Sequence, residues 1–172
     1  YMITSEDSST CMAIGFADEL NLYIEGHINI DGKTYLTTAI ADSAFKNKRN
    51  LQSAFLPNTL RRIGEEAFFN CKSLVTAAIP EGIVKTEFGS FKRAGLRNLK
   101  LPKSLKTVGH ASFAECRNLK SLDIPEGVET LELDAFACCD SLKNISLPST
   151  LKTISRGVFW ECFSLEEIHI PA

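Results

Sequence analysis

A phenylalanine and a proline each recur six times along this chain, at a spacing of 22 or 23 residues. The repeated phenylalanines are Phe45, Phe68, Phe91, Phe113, Phe136 and Phe159. The repeated prolines are Pro57, Pro80, Pro102, Pro125, Pro148 and Pro171. A fixed period of this length predicts a solenoid, in which each unit buries its apolar side only against its neighbours. Such a chain offers an extended surface for function.

Length and charge exclude several classes of function. The 172 residues suit one domain, and a net charge of −2 gives no basic footprint for nucleic acid. Polar residues interrupt every apolar run well before the roughly 18 residues that a membrane span needs, so we expect no membrane insertion. The first residues lack the charged and apolar regions of a signal peptide. These residues alone therefore do not indicate the cellular compartment of the protein.

Each repeat has the same internal pattern, which is clear in the unit that ends at Pro125. Phe113, Cys116 and Leu119 follow one another at a spacing of three, which predicts one face of a short helical turn. Apolar and polar residues then alternate over residues 121–124, as in a strand with one buried face. Pro125 ends that strand because proline has no amide hydrogen to donate to a continuing ladder.

Two further features of the repeat concern close packing. The residue before each phenylalanine is small in most repeats, which predicts close approach between stacked turns; these residues are Ala44, Ala67, Ser90, Ser112, Ala135 and Val158. The third unit has one residue fewer between Phe91 and Pro102 than the others. We expect its turn to tighten around Gly95 and to form the weakest joint of the array.

Four of the six cysteines occupy one column, three residues after the repeat phenylalanine: Cys71, Cys116, Cys139 and Cys162. Lys48 and Ala94 hold the same position in the other repeats. Equivalent side chains in a stack point the same way, which suits a disulfide torsion poorly. We therefore predict free thiols that pack as small hydrophobic groups. Cys11 and Cys138 lie outside the column and are free to be exposed, and their redox state is open.

The first 36 residues do not follow the repeat. Alternation at residues 27–30 and the dipeptide Asp31-Gly32 predict a hairpin with a two-residue turn. Residues 1–4, 12–14 and 22–24 are further strand candidates. We predict a small N-terminal β cap over residues 1–36, followed by six repeats over residues 37–172 in a single domain.

The repeat consensus L-K-x-I-x-x-x-A-F-x-x-C-x-x-L-x-x-I-x-I-P resembles the BspA-like leucine-rich repeat of Bacteroides-type bacterial surface proteins. Residues 151–171 carry it almost unbroken, and the resemblance extends over the whole chain. It implies a right-handed leucine-rich-repeat solenoid, with short helical turns and a parallel sheet along one face. It also implies export, an extracellular or cell-surface location and adhesion to host matrix proteins or other cells. The family brings no catalytic residues.

The histidines and cysteines form no pattern typical of a metal site or a redox site. His27, His110 and His169 lie in different columns, and none stands beside a cysteine at metal-ligand spacing. Cys138 and Cys139 are adjacent, which is not the C-x-x-C spacing of a redox site. We therefore predict no enzyme, no cofactor and no metal.

The remaining candidate for function is the outward face of the strands. The candidate partner-binding residues are Ser53, Phe55, Thr76, Asn98, Lys100, Ser121, Asp123 and His169. This face changes from apolar near the N-terminal end to polar and charged at the other, with Phe55 as its aromatic anchor. The leading hypothesis is a non-enzymatic module that binds a protein partner through the solenoid surface. The sequence does not identify the ligand. It also leaves two candidate binding surfaces, the strand face and the turn face, which is formed by the turns around each repeat phenylalanine.

The alternative is a structural spacer or a self-assembling repeat domain with no dedicated ligand. Trp160 and Phe163 stand near the end of the last repeat, in positions where other repeats tolerate charged residues. We expect them to cover that end or to form homo-oligomer contacts. A carbohydrate-binding module is a third possibility, but too few aromatic side chains line one face to favour it.

Overall fold

The structure, a computed structural model, describes residues 2–5, 10–13 and 20–169, which form fifteen short strands and no helix. The strands are β1 (Met2–Ser5), β2 (Thr10–Ala13), β3 (Asn21–Tyr23), β4 (His27–Ile30), β5 (Lys33–Ile40), β6 (Ser53–Phe55), β7 (Arg62–Ile63), β8 (Thr76–Ala78), β9 (Asn98–Lys100), β10 (Thr107–Val108), β11 (Ser121–Asp123), β12 (Thr130–Leu131), β13 (Asn144–Ser146), β14 (Thr153–Ile154) and β15 (Glu167–His169). They wind into a solenoid of parallel sheets, which confirms the predicted fold class.

The predicted hairpin is confirmed at the N-terminal end. β4 and β5 pair antiparallel on either side of Asp31 and Gly32, whose φ angles are 50° and 77°. Two consecutive positive φ angles are typical of the tight turn that suits the twist of a hairpin. β5 then pairs parallel with β2, which itself pairs antiparallel with β1. The boundary at residue 36 lies inside β5, and the division into a cap and six repeats stays a prediction.

Two ladders of parallel strands run along the solenoid. One contains β3, β6, β8 and β9 and continues with β11, β13 and β15, and from β3 to β13 the middle residue of each strand is buried in the core. The other passes from β5 to β7 and resumes in β10, β12 and β14, with a single bridge from Lys85 to Thr107. The predicted parallel sheet is therefore present. Ile14, Ile170 and Pro171 lie outside the described residues.

The helical turn predicted around each phenylalanine is wrong, because the chain forms successive tight turns there. Residues two before and two after the phenylalanine have positive φ in all six repeats. They are Ser43, Asn47, Glu66, Asn70, Gly89, Arg93, Ala111, Glu115, Asp134, Cys138, Gly157 and Glu161. A right-handed helix cannot continue through a left-handed residue. The backbone amides of these turns donate to carbonyl oxygens of the next repeat instead.

A third ladder of backbone hydrogen bonds therefore joins the turns. The amide of each repeat phenylalanine from Phe45 to Phe136 donates to the carbonyl of the residue that precedes the next phenylalanine, at 2.7 to 3.0 Å. The acceptor residues are Ala67, Ser90, Ser112, Ala135 and Val158. The small side chains noted in the sequence thus occupy the positions where adjacent turns meet.

The phenylalanines themselves form one continuous stack through the core. Successive ring centroids from Phe45 to Phe159 lie 5.3, 5.1, 5.6, 5.5 and 6.1 Å apart, with the ring planes nearly parallel. The prolines begin the turn that follows each strand, since the carbonyls of Pro57, Pro80 and Pro102 each accept a bond from the amide three residues on. Pro125 and Pro148 do the same.

The cysteine column is buried, as predicted, and the described cysteines are free thiols. Each thiol in the column donates to the carbonyl of the phenylalanine in the preceding repeat, at 3.1 to 3.4 Å. Cys138 is partly exposed. The suggestion that Cys11 is exposed is wrong: it is 0% exposed and packs with Ile28 and Tyr35 in a separate apolar cluster.

The shortened third unit interrupts one of the ladders. In the described parts of the chain, no strand pairing joins β9 to β11, whereas their neighbours on both sides are paired. The shortened turn is tight at Gly95, where an added Cβ would lie 2.0 Å from the carbonyl oxygen of Lys72. Only glycine fits this contact. That this joint is the weakest in the array stays a prediction.

We predict that Phe113→Ala lowers the free energy of unfolding by about 3–5 kcal/mol, because it removes a buried ring from the middle of the stack. Urea denaturation followed by circular dichroism measures this loss. Phe163→Ala is the control, since it removes an exposed ring and should change stability by less than about 0.5 kcal/mol. Equal losses for the two variants would contradict the assigned core.

Candidate interaction surface

The strand face, which we define as the outward side chains of β3, β6, β8, β9, β11, β13 and β15, presents two rows of residues. The polar row contains Asn21, Ser53, Thr76, Asn98, Ser121, Asn144 and Glu167. The mixed row contains Tyr23, Phe55, Ala78, Lys100, Asp123, Ser146 and His169. All eight candidate partner-binding residues predicted from sequence belong to these rows. For His169 only the backbone is described.

The aromatic anchor of this face is a pair of rings. Tyr23 and Phe55 are 66% and 51% exposed, and their rings stack with centroids 4.5 Å apart and planes 5° apart. The pairing of β3 with β6 places the two residues side by side. Sequence reasoning identified Phe55 and missed Tyr23, because Tyr23 lies in the N-terminal segment that does not follow the repeat.

Four of the predicted residues surround the joint where β9 and β11 do not pair. Asn98, Lys100, Ser121 and Asp123 line a cleft of about 470 Å³, together with Glu81 and others. Ser146 donates a hydrogen bond of 2.6 Å to Asp123. Side chains of both charge signs therefore line this cleft.

The cleft keeps a fixed acidic group at its rim. Glu81 accepts hydrogen bonds from the backbone amides of Lys103 and Ser104, each at 3.1 Å. The bond from Lys103 lowers the pKa of this carboxyl, with smaller contributions from Ser104. Glu81 therefore stays ionised near neutral pH.

The gradient from an aromatic to a charged surface runs along the mixed row from Tyr23 to Asp123.

The turn face carries a second cleft, next to the shortened turn. This cleft, of about 440 Å³, is lined by Asn70, Lys72, Arg93, Ala94, Gly95, Glu115, Arg117 and Asn118. Burial opposes ionisation of Glu115, but its hydrogen bond from Arg93 and the charges of Arg93 and Lys92 together lower its pKa. Ion pairs of this exposed kind contribute little to stability.

Trp160 and Phe163 are exposed near the last repeat, at 60% and 78%. Trp160 lines a shallow cavity of about 400 Å³ with Leu133, Asp134, Arg156 and Gly157. Ile154 and Ile168 are also exposed in the last two strands. The last repeat thus carries four exposed apolar side chains, while the role assigned to Trp160 and Phe163 stays a prediction.

Among the described residues, no group of three or more histidine, cysteine, aspartate or glutamate side chains is placed to hold a metal ion. Burial raises the pKa of Cys71 and of Cys116 to about 12 in each case. Burial also raises the pKa of Cys138 to about 11, with Glu161 adding to the effect. These thiols are therefore poor nucleophiles near neutral pH.

No helix in the described part of the chain is both long and apolar enough to cross a bilayer. The architecture is that of a repeat solenoid built from ladders of parallel strands. The family model for the BspA type leucine rich repeat region matches six copies over residues 38–166. The chain belongs to this family, as its sequence resemblance predicts. Leucine-rich repeats of this kind are generally protein-interaction modules.

Solved structures agree with this assignment. A leucine-rich repeat protein from Bacteroides ovatus is 31% identical, with a TM-score of 0.86, over 99% of this chain and 45% of that one. This chain therefore spans less than half the length of that relative. The T. pallidum leucine rich repeat protein is 22% identical, with a TM-score of 0.76, over 95% of this chain and 86% of that one.

A third similar structure is the pneumococcal vaccine antigen PcpA. It is 24% identical, with a TM-score of 0.75, over 91% of this chain and 42% of that one. At this level of identity, the likeness to the last two structures shows the fold alone. No protein in the curated set matches this sequence.

We predict that stability falls at alkaline pH because of the buried thiols. Cys71 and Cys116 stay protonated in the folded state until about pH 12, whereas in the unfolded chain they ionise near their ordinary pKa of 9.0. Above about pH 9 the unfolded state binds fewer protons, so the free energy of unfolding decreases as pH rises. Urea denaturation between pH 7 and pH 10.5 measures the slope.

The matched comparison is a variant with Cys71→Ala and Cys116→Ala. We expect a smaller slope above pH 9 for this variant, at a lower absolute stability. An unchanged slope would show that other groups cause the alkaline loss.

Proposed function

We propose that this chain is a non-enzymatic, exported or cell-surface module that binds a protein partner through its strand face. The observation that carries the proposal is the stacked pair of Tyr23 and Phe55, which stands exposed on an otherwise polar sheet face. Stacked rings lose little further freedom on binding, and aromatic anchors dominate many interfaces.

The rest of the strand face suits a rim around this anchor. Small polar side chains fill the polar row from Asn21 to Asn144, and Lys100 and Asp123 add charges of both signs beyond Ala78. Polar residues at the rim exclude water and set orientation, while the aromatic centre supplies affinity. Location at the cell surface is proposed from the family resemblance and is tested by surface labelling of intact cells that produce the protein.

We predict that Phe55→Ala weakens partner binding at least about 30-fold, which corresponds to a hot-spot loss of about 2 kcal/mol. Lys100→Glu should weaken it too if the partner surface is acidic, mainly by slowing association. Extracellular-matrix proteins immobilised for surface plasmon resonance provide the first panel of partners, and a pull-down from host secretions extends it.

The control variant is Phe163→Ala, which removes an even more exposed ring away from the strand face. If a bound partner tolerates Phe55→Ala and Lys100→Glu but not Phe163→Ala, the strand face is the wrong surface. The turn face would then be the place to search.

The second candidate function is self-assembly through the end near the last repeat. The specific observation in its favour is the group of exposed apolar side chains formed by Ile154, Trp160, Phe163 and Ile168. Exposed apolar side chains can mark an interface. In this case the chain acts as a structural spacer or homo-oligomer.

Sedimentation velocity over a wide concentration range tests this second candidate. We predict association that Trp160→Ala weakens about 30-fold, because a tryptophan anchor contributes at least about 2 kcal/mol. Phe55→Ala should leave it unchanged. A monomer at every concentration would exclude self-assembly through this end.

A further inference from the structure

Two aromatic columns run along the repeats, and only the buried one is complete. In the core each repeat from Phe45 to Phe159 adds one ring at 5.1 to 6.1 Å from the last. On the strand face, Tyr23 and Phe55 begin a similar stack at 4.5 Å. The next repeat contributes Ala78 in place of a ring. The exposed stack therefore stops after two members.

The orientation of Phe55 follows from its partner. Tyr23 covers one face of the Phe55 ring with the planes only 5° apart, and β6 lies between β3 and β8 in the sheet. The uncovered face of Phe55 therefore points along the ladder towards β8. β6 and β8 pair Ser53 with Thr76 and Ala54 with Ala77, so the continued register brings Ala78 beside Phe55 on the outside of the sheet.

The space above Ala78, between Phe55 and Lys100, is hereafter the Ala78 slot. On the Lys100 side of the slot, a cavity of about 230 Å³ lies over β8 and β9, lined by Thr76, Ala77, Ala78, Asn98, Leu99 and Lys100. Strands in a sheet lie about 4.8 Å apart, so Phe55 and Lys100 are separated by about two strand spacings. That distance leaves room for one flat group stacked on Phe55.

The far wall of the slot carries a positive charge. Ala78 pairs with Lys100 in the register of β8 and β9. The chain itself shows how a ring and cations pack across adjacent repeats, since the Lys46 ammonium lies 5.0 Å and the Arg93 guanidinium 5.8 Å from the centre of the Phe69 ring. A ring above Ala78 would have Phe55 on one face and the Lys100 ammonium near the other.

We propose that the Ala78 slot receives an aromatic side chain of the protein partner, which continues the stack begun by Tyr23 and Phe55. This proposal rests on the proposed function, that the strand face binds a protein, and it names the contact that the partner makes. An aromatic ring gains stacking on Phe55 and attraction to Lys100, and an aliphatic side chain gains neither. Thr76 and Asn98 line the same cavity and suit the polar atom of a tyrosine or tryptophan.

The direct test is a titration of methyl-labelled protein with N-acetyl-tyrosinamide, followed by NMR. We expect saturable shifts at the methyl groups of Ala78 and Leu99, and binding about two- to ten-fold tighter than that of N-acetyl-leucinamide. Lys100→Met should weaken binding of the tyrosine probe about two- to five-fold and leave the leucine probe unchanged. Equal affinities for the two probes, or shifts that map elsewhere, would overturn the proposal.

A second variant supplies the missing ring from the chain itself. Ala78→Phe places a ring in the slot, and we expect it to abolish the shift at Leu99 and to weaken partner binding as much as Phe55→Ala does. Thr153→Phe is the control, because it adds a ring at an exposed position of β14, in the other ladder and away from the strand face. A partner that loses affinity with Phe55→Ala but tolerates Ala78→Phe would overturn the slot and leave the strand-face function standing. A partner that tolerates both Phe55→Ala and Ala78→Phe would overturn both the slot and the proposed function of the strand face.

Discussion

The stacking of each phenylalanine on the next is the constraint on which the other columns of this solenoid depend. A ring can stack face to face at 5.1 to 6.1 Å only if successive repeats present it in the same orientation. The backbone on both sides of the ring must then follow the same path in every repeat. Left-handed residues two before and two after the phenylalanine hold that path, and the ladder of phenylalanine amides locks it to the next repeat.

This constraint separates the residues that build the scaffold from those that are free to vary. The middle residues of β6, β8, β9, β11 and β13 and the four cysteines of the column are buried in the core beside the stack. The outward side chains of the strands keep their spacing but not their chemistry. The same geometry that stacks rings in the core therefore stacks Tyr23 on Phe55 outside it. The repeat spacing that aligns side chains in the core also aligns side chains on the surface, although the surface side chains do not stabilise the core.

The features that repeat could be predicted from the sequence, because residues that stack in one column recur at a fixed spacing along the chain. These features are the phenylalanine, proline and cysteine columns and the outward positions of the strands. The prediction failed at the turns, because a spacing of three between Phe113, Cys116 and Leu119 suits both a helical turn and successive tight turns. What separates the two is the bond from the Phe113 amide to Ala135 in the next repeat, which no local pattern contains. The left-handed positions are mostly not glycine, so composition did not mark them either.

The misplaced residues near the N-terminus have a different cause. Cys11 and Tyr23 lie in a segment without the period, so their surroundings depend on which strands pair. The pairing of β2 with β5 brings Cys11 close enough for its thiol to lie 3.5 Å from the hydroxyl of Thr37, and the pairing of β3 with β6 places Tyr23 on Phe55. Because each repeat of a solenoid contacts only its neighbours, a binding site is assembled from a few adjacent turns. The residues of the proposed site, Tyr23, Phe55, Ala78 and Lys100, come from four successive strands of one ladder, so they can change without disturbing the stack that supports them.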